Sequence, residues 1–366
     1  MNSLSDIIRE HASRYPLMQP CDAVKLVYQS EFGGGHLVSS SAASMERLEE
    51  ECRLLPVPPR ESASSLSGQI PYSSLAESIG GGISRVSLSH WKALGLPLAL
   101  LNQLFVCSSA QKVGSMDSFA QKLEMLSSLA EERIFSFSPS ALRAYLDGYR
   151  ALGCPAVSHS QIYKNTYCPA YRLVWDRYLP LLPALCSIDQ LIAQKSCINL
   201  AIDGCAAAGK STVAQLISSL FPSRIVHMDD FFLPTALRTP QRFHQPGGNI
   251  HYERFEAQVV PGLKAHRAFC YAPYACSTGQ YLPMQEFPAA ALTIVEGCYS
   301  LHPHWANVFD YKLFLDISPK LQKERILQRN GKDMLQRFTQ LWIPLEHQYF
   351  DAFHIPESCD LILTLP

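Results

Sequence analysis

Residues 198–221 read INLAIDGCAAAGKSTVAQLISSLF, and this stretch decides the fold of the half of the chain that contains it. It opens on a short, almost wholly apolar run ending at Asp203, the form of a buried strand. Gly204 to Thr212 then match GxxxxGK[ST], and a helical run follows. Strand, glycine turn and helix in that order give the motif its physical meaning. Glycine lets the backbone turn so that successive N–H groups face phosphate oxygens, and the N-terminal end of the helix adds positive potential. The backbone of Gly204, Cys205, Ala206, Ala207, Ala208 and Gly209 is therefore expected to cradle ATP. Lys210 would meet the β- and γ-phosphates, Ser211 would give its hydroxyl to Mg2+, and Thr212 would contact phosphate at the helix start.

Outward from that loop, short apolar runs recur at RIVHMD, LTIVEG, YKLFLDI and DLILTL, separated by helical stretches. The pattern predicts an α/β P-loop domain, a doubly wound parallel sheet, over residues 186–366. Such sheets bind ligands at the carboxyl ends of their strands, which makes the acids there candidates. RIVHMD ends at Asp229, expected to take the proton of an acceptor hydroxyl and to lie near the metal, with Phe232 close by on the acceptor side. LTIVEG delivers Glu296 towards Mg2+. Helix capping or ion pairing is the other use of an isolated acid. In PKLQKERILQRNG, Arg325 and Arg329 stand four apart on one helix face, where they could close over a transferring phosphoryl group. A solvated basic face would explain the same letters.

INLAIDGCAAAGKST, HMDDFF, GGNIHYERF, TIVEGCYSLHP and LFLDISPKLQKERILQRN occur in the order expected of the uridine kinase and phosphoribulokinase family. Residues 190–366, about half the chain, resemble that family. The resemblance implies a phosphotransferase that uses ATP and Mg2+ and passes the γ-phosphoryl group to a hydroxyl of a small molecule, a nucleoside or ribose-like compound. It implies Asp229 as catalytic base and Glu296 as a magnesium-binding acid. It aligns His251 with an acid that contacts ribose hydroxyls in uridine kinases, and Tyr274 with a tyrosine of their nucleobase pocket. No histidine follows Tyr274 at the family's interval, and the lid region is short, so the resemblance does not extend to uridine itself as the acceptor.

Residues 1–185 are expected to form a separate, mostly α-helical domain, since MERLEEECRLL, FAQKLEMLSSLAEERIF and SALRAYLDGYRALG space their apolar residues by three and four. Glycine clusters at Gly33–Gly35 and Gly80–Gly82 interrupt the pattern, and Pro56–Gly68 reads as an exposed loop. Trp91–Cys107 reads as one buried helix, being too short and too often interrupted for a membrane span. RYLPLLPALCSIDQLIAQ reads as the connector to the second domain. His36 and Arg85 follow the two glycine clusters, and His159 lies between Ser158 and Ser160. Such letters suit an anion site, although satisfied structural residues would account for them equally.

The 366 residues exceed what one ordinary core needs, and 47% hydrophobic with 17% charged residues excludes a disordered chain. Lys and Arg number 31 against 32 Asp and Glu, so there is no basic field to gather nucleic acid or anionic membrane. Twelve cysteines are scattered singly, which suits reduced thiols better than disulfides or zinc. Asp6, Arg9 and Glu10 interrupt what would be the apolar part of a signal peptide. A cytoplasmic enzyme with a small-molecule hydroxyl acceptor, and without nucleic acid or membrane partners, is the resulting expectation. Two other readings stay open: an ATP-binding regulatory switch with little turnover, and a bifunctional enzyme with separate N-terminal chemistry.

Overall fold

The computed structural model describes residues 3–56, 72–110 and 114–365. Of the Pro56–Gly68 stretch only Pro56 falls among them. The chain forms two compact units, Met1–Pro183 and Ala184–Pro366.

In the first unit the three periodic segments are helices Ser41–Leu54, Met116–Glu131 and Pro139–Ala151. Each starts at a serine whose hydroxyl accepts a backbone N–H of the first turn: Ser40 from Ala43, Ser115 from Ser118 and Ser138 from Ala141. Phe119, Leu123, Leu126, Leu129, Leu142 and Leu146 then enter a common core. Beside its helices the first unit carries a sheet. Strands β1 (Ala76–Gly80), β2 (Ile83–Ser87) and β3 (Tyr171–Trp175) form an antiparallel sheet in that order. The second glycine cluster is the β1–β2 turn. Gly81 has φ +64°, and a Cβ there would lie 1.9 Å from the Ser30 carbonyl oxygen, so only glycine fits. The apolar stretch Trp91–Cys107 is also not one helix. Helices Leu88–Ala93 and Leu98–Ala110 flank Gly95 and Pro97, which interrupt the ladder, and the Trp91 indole donates to the Pro97 carbonyl at 3.2 Å.

The second unit is built on strands β4 (Ile198–Gly204) and β5 (Ser223–His227). Two small hairpin sheets follow, pairing β6 (Phe269–Tyr271) with β9 (Gln285–Phe287) and β7 (Tyr274–Ala275) with β8 (Gln280–Tyr281). The chain then returns through β10 (Leu292–Glu296), β11 (Tyr311–Asp316) and β12 (Leu361–Thr364). The main sheet has the order β12-β11-β4-β10-β5, with every neighbouring pair parallel. Every residue of β4 and β10 is buried, as expected of central strands covered on both faces. Helix Lys210–Leu220 packs on β4, β5 and β10 through Val213, Ala214, Leu216, Ile217 and Leu220. Each larger aliphatic side chain so buried contributes roughly 1.5–3 kcal/mol of transfer free energy. This parallel sheet, with the glycine loop after its central strand, fits the expected α/β P-loop arrangement.

Register fixes the position of the site. Glu296 pairs with Ile202 on one side and with His227 on the other, so the carboxyl ends of β4, β5 and β10 meet along one edge. No helix among the described residues is long and apolar enough to cross a membrane.

Candidate active site

The loop after β4 takes its shape from backbone conformations that few residues tolerate. Gly204 has φ +134° and a Cβ there would sit 2.1 Å from the Leu315 carbonyl oxygen, while Gly209 has φ +99° and Ala207 φ +60°. Cys205 N–H donates to that same Leu315 oxygen at 3.1 Å, stitching the loop to β11. The Lys210 ammonium folds back over the loop and donates to the carbonyls of Gly204 (2.8 Å) and Cys205 (2.9 Å). Burial alone would lower its pKa, but the Cys298 sulfur and the carboxyls of Glu346, Asp203 and Asp229 together raise it.

Beside the lysine, the Ser211 hydroxyl donates to Glu296 Oε1 at 2.9 Å. The His227 imidazole meets the same oxygen at 2.6 Å, and this bond raises the His227 pKa. Ser211 and Glu296 offer the hard oxygen donors that magnesium prefers, one hydroxyl and one carboxylate, and Asp229 adds a second carboxylate at this edge. Among the described residues no three His, Cys, Asp or Glu side chains converge into a protein-only cage. That is compatible with Mg2+, which typically takes only one or two carboxylates and draws its other ligands from water and phosphate.

Strand β5 stops at His227, two residues short of the expected strand end. Asp229 therefore stands in a 3-10 turn, Met228–Phe231, just beyond it. Its side chain reaches solvent, and its carboxylate accepts no hydrogen bond from the described residues. The surrounding walls raise its pKa by desolvation, against the pull of Lys210. The adjacent Asp230 is engaged differently. Its carboxylate accepts from the Tyr271 hydroxyl at 2.9 Å, and its carbonyl is held by Arg254. Two neighbouring acids with similar letters thus divide into one that fixes the turn and one that is free.

Phe232, His251 and Tyr274 border the same turn. Phe232 bridges to Ile250, and its ring lies 6.1 Å from Trp342. The His251 backbone N–H donates to the Phe231 carbonyl at 2.7 Å, while its ring Nδ1 is buried without a partner among the described residues and burial lowers the ring pKa. Tyr274 is 5% exposed in β7, which packs along the turn, with its ring 5.3 Å from Tyr281. Thr212 is exposed on the first turn of its helix.

The two arginines part company. Arg325 Nη1 reaches the Ala207 carbonyl at 3.3 Å. Arg329 is exposed and donates to its neighbour Asn330 at 2.8 Å, so it does not reach the loop. Shared helix faces set where Cβ atoms point, not where long side chains end.

Three residues that the sequence reading left unassigned shape the loop from beneath. Asp203, fully buried, accepts from Gly204 N–H (2.7 Å), Leu301 N–H (2.9 Å), Tyr299 N–H (3.2 Å) and the Tyr349 hydroxyl (2.8 Å). Gln322 donates to the Ala206 carbonyl at 3.2 Å. Glu346, on helix Ile343–Phe353, accepts the Ala206 N–H at 3.0 Å, and burial pushes its carboxyl up to about 7, with Lys210 pulling the other way. Asp203 carried a signal as the acid closing the strand; Glu346 carried none, lying 140 residues from its partner.

In the first unit, Arg85 and His159 join one hydrogen-bonded cluster through Gln29 and Tyr171. His36 lies at the surface, edge-on to Tyr28 at 5.7 Å.

No protein-family model matches the sequence, and no curated protein does. Among solved structures, the chain is similar to a possible uridine kinase from Bacillus stearothermophilus, with TM-score 0.36 and 19% identity, covering 48% of this chain and 96% of that one. It is also similar to D-glycerate 3-kinase from Cryptococcus neoformans, with TM-score 0.35 and 11% identity, covering 50% of this chain and 95% of that one.

Proposed function

We propose that the second unit is an ATP-dependent small-molecule kinase that transfers the γ-phosphoryl group to a hydroxyl of a nucleoside or another ribose-like acceptor. The observation that carries this reading is the meeting of Lys210, the Ser211–Glu296 pair and the unpaired Asp229 carboxylate along the carboxyl edge of β4, β5 and β10. The loop amides from Gly204 to Gly209 and Lys210 bind the phosphates, and Arg325 adds positive charge from the far side of the loop. Ser211 and Glu296, with Asp229 nearby, would hold Mg2+, which would neutralise phosphate charge. Asp229 accepts the proton of the acceptor hydroxyl as that oxygen bonds to the γ-phosphorus and the β,γ-bridging oxygen leaves with ADP. Phe232, His251 and Tyr274, around the same turn, form the acceptor side.

The test is ADP release with ATP and magnesium across nucleosides, sugars and other small alcohols, with Lys210→Ala in parallel. Acceptor-stimulated turnover that Lys210→Ala loses supports the kinase and names its acceptor. Tight ATP binding that no acceptor turns over would replace it with a regulatory switch, and transfer that survives Lys210→Ala would point to separate chemistry elsewhere in the chain.

A further inference from the structure

Arg85 is 5% exposed, and no carboxylate among the described residues pairs with it. The elements around it explain how this arises. Helix Pro20–Phe32 carries Asp22, Lys25 and Gln29 at three- and four-residue spacing, hence on one face, and it packs on the β1 side of the sheet. In the sheet, Arg85 pairs with Leu173 and Ser87 with Tyr171, which puts Arg85 and Tyr171 diagonally on one face. The acid opposite Arg85 in β1 is Glu77, but Glu77 is already engaged by Arg14 (2.8 Å) and the Tyr15 hydroxyl (3.0 Å).

A chain of side chains holds the guanidinium in place. Ser160 N–H and hydroxyl donate to Asp22 (2.9 and 2.6 Å), and Asp22 Oδ1 holds His159 Nδ1 at 2.9 Å. With Nδ1–H donating to Asp22, His159 Nε2 is left to accept the Tyr171 hydroxyl at 2.8 Å. Gln29 Nε2 donates to the Tyr171 oxygen at 3.2 Å, and Gln29 Oε1 accepts from Arg85 Nε (3.1 Å) and Nη2 (2.8 Å). The guanidinium carbon stands 4.7 Å over the Tyr171 ring, and Tyr163 stacks on His159 at 4.3 Å. Arg85 Nη1 makes no hydrogen bond to a described residue. Lys25 sits alongside, its ammonium donating, among the described residues, to the Val157 carbonyl alone at 2.9 Å. Burial and the field of Arg85 push Lys25 down to about 8. Asp22, the carboxylate within the cluster, is spent on His159, Ser160 and the Gln19 N–H.

The field of Glu77 reaches Arg85, but that carboxylate is shared with Arg14 and Tyr15, and a buried cation without a counter-charge of its own is costly, as is a second cation beside it. Both costs are relieved by an anion, and a guanidinium fixed by a hydrogen-bonded chain is preorganised to receive one. Lys25 and Tyr171 are each half-buried, so the cluster remains in reach of solvent. We propose that this cluster binds the oxyanion group of a small molecule, a phosphate or a carboxylate, with Arg85 as its principal ligand and Lys25 as its second cation. Asp22, His159, Tyr171 and Gln29 are positioning residues that aim Arg85.

The test is calorimetric titration of inorganic phosphate, and separately of malonate, into the full chain saturated with a non-hydrolysable ATP analogue, so that the glycine loop of the second unit is filled. The expected result is binding of at least one of the two anions that weakens tenfold or more in Arg85→Met and about threefold in Lys25→Met, and is unchanged in Asp229→Asn. Whichever anion binds more tightly at the Arg85-dependent site assigns the ligand class. Equal affinity in wild type and Arg85→Met, or no binding of either anion by wild type, overturns the proposal. If Arg85→Met does not fold, hydrogen exchange of the wild-type chain decides: phosphate or malonate should slow exchange in residues 20–33 and 157–173, and unchanged exchange there overturns it.

Discussion

Lys210 and Arg85 are both cations set into the protein, and the chain surrounds them in opposite ways. Lys210 donates to two carbonyls of its own loop, and Glu346, Asp203 and Asp229 encircle it closely enough to raise its pKa despite burial. Arg85 has one amide oxygen and one aromatic face, and the carboxylate whose field reaches it, Glu77, is hydrogen-bonded to Arg14 and Tyr15 instead. The first site is made by backbone conformation within a run of contiguous residues. The second is made by side chains from the helix at residues 20–32, from β2, from residues 159–160 and from β3. A site made of backbone declares itself in a short motif, whereas a site made of dispersed side chains exists only once the fold has assembled.

If backbone geometry governs the Lys210 loop, Gly204→Ala should have the largest effect on the fold. A Cβ 2.1 Å from the Leu315 carbonyl at φ +134° costs roughly 3 kcal/mol or more by denaturant unfolding. A variant within about 1 kcal/mol of wild type would break the contrast.

The acids around Lys210 provide a second handle. The folded-state pKa of Glu346, about 7, lies above its ordinary value of 4.5, so the stability tied to its protonated carboxyl is complete below about 4.5 and is lost as pH rises through 7. That loss is about 3 kcal/mol, and Glu346→Gln should flatten the stability curve of the chain across this window. A curve that keeps its slope in the variant would show that another group titrates.

Arg325 and Arg329 offer a smaller contrast. Arg325→Ala, which removes a contact to the Ala207 carbonyl, should lower kcat/KM for ATP roughly tenfold. Arg329→Ala, at an exposed side chain paired to its own neighbour, should stay within about twofold. Equal losses would mean that the helix face acts as a unit.

The same contrast explains which parts of the molecule were legible in the sequence. INLAID, the glycine loop and its helix were readable because apolar runs buried on both faces and an obligatory glycine leave unambiguous letters. Glu296 and Asp229 were readable as acids closing apolar runs, although the strand before Asp229 ends two residues earlier. The sheet of the first unit was hidden because β2 is buried on both faces with Ser84 and Arg85 inside it, so neither an alternating nor an apolar pattern survives. Glu346 and Gln322 reach the loop from helices more than a hundred residues downstream, and no local rule links them to it. Arg329 turns to its neighbour Asn330 while Arg325 reaches the loop, because helical spacing specifies a face and not a reach.

The proposed kinase depends on Asp229, free beside an engaged Asp230, as the group that activates the acceptor hydroxyl. Its most direct test is acceptor-stimulated ADP release by Asp229→Asn, with ATP affinity measured on the same preparation. The account predicts a fall of about 10²- to 10⁴-fold in kcat with ATP affinity unchanged, and a variant that transfers at the wild-type rate would contradict it.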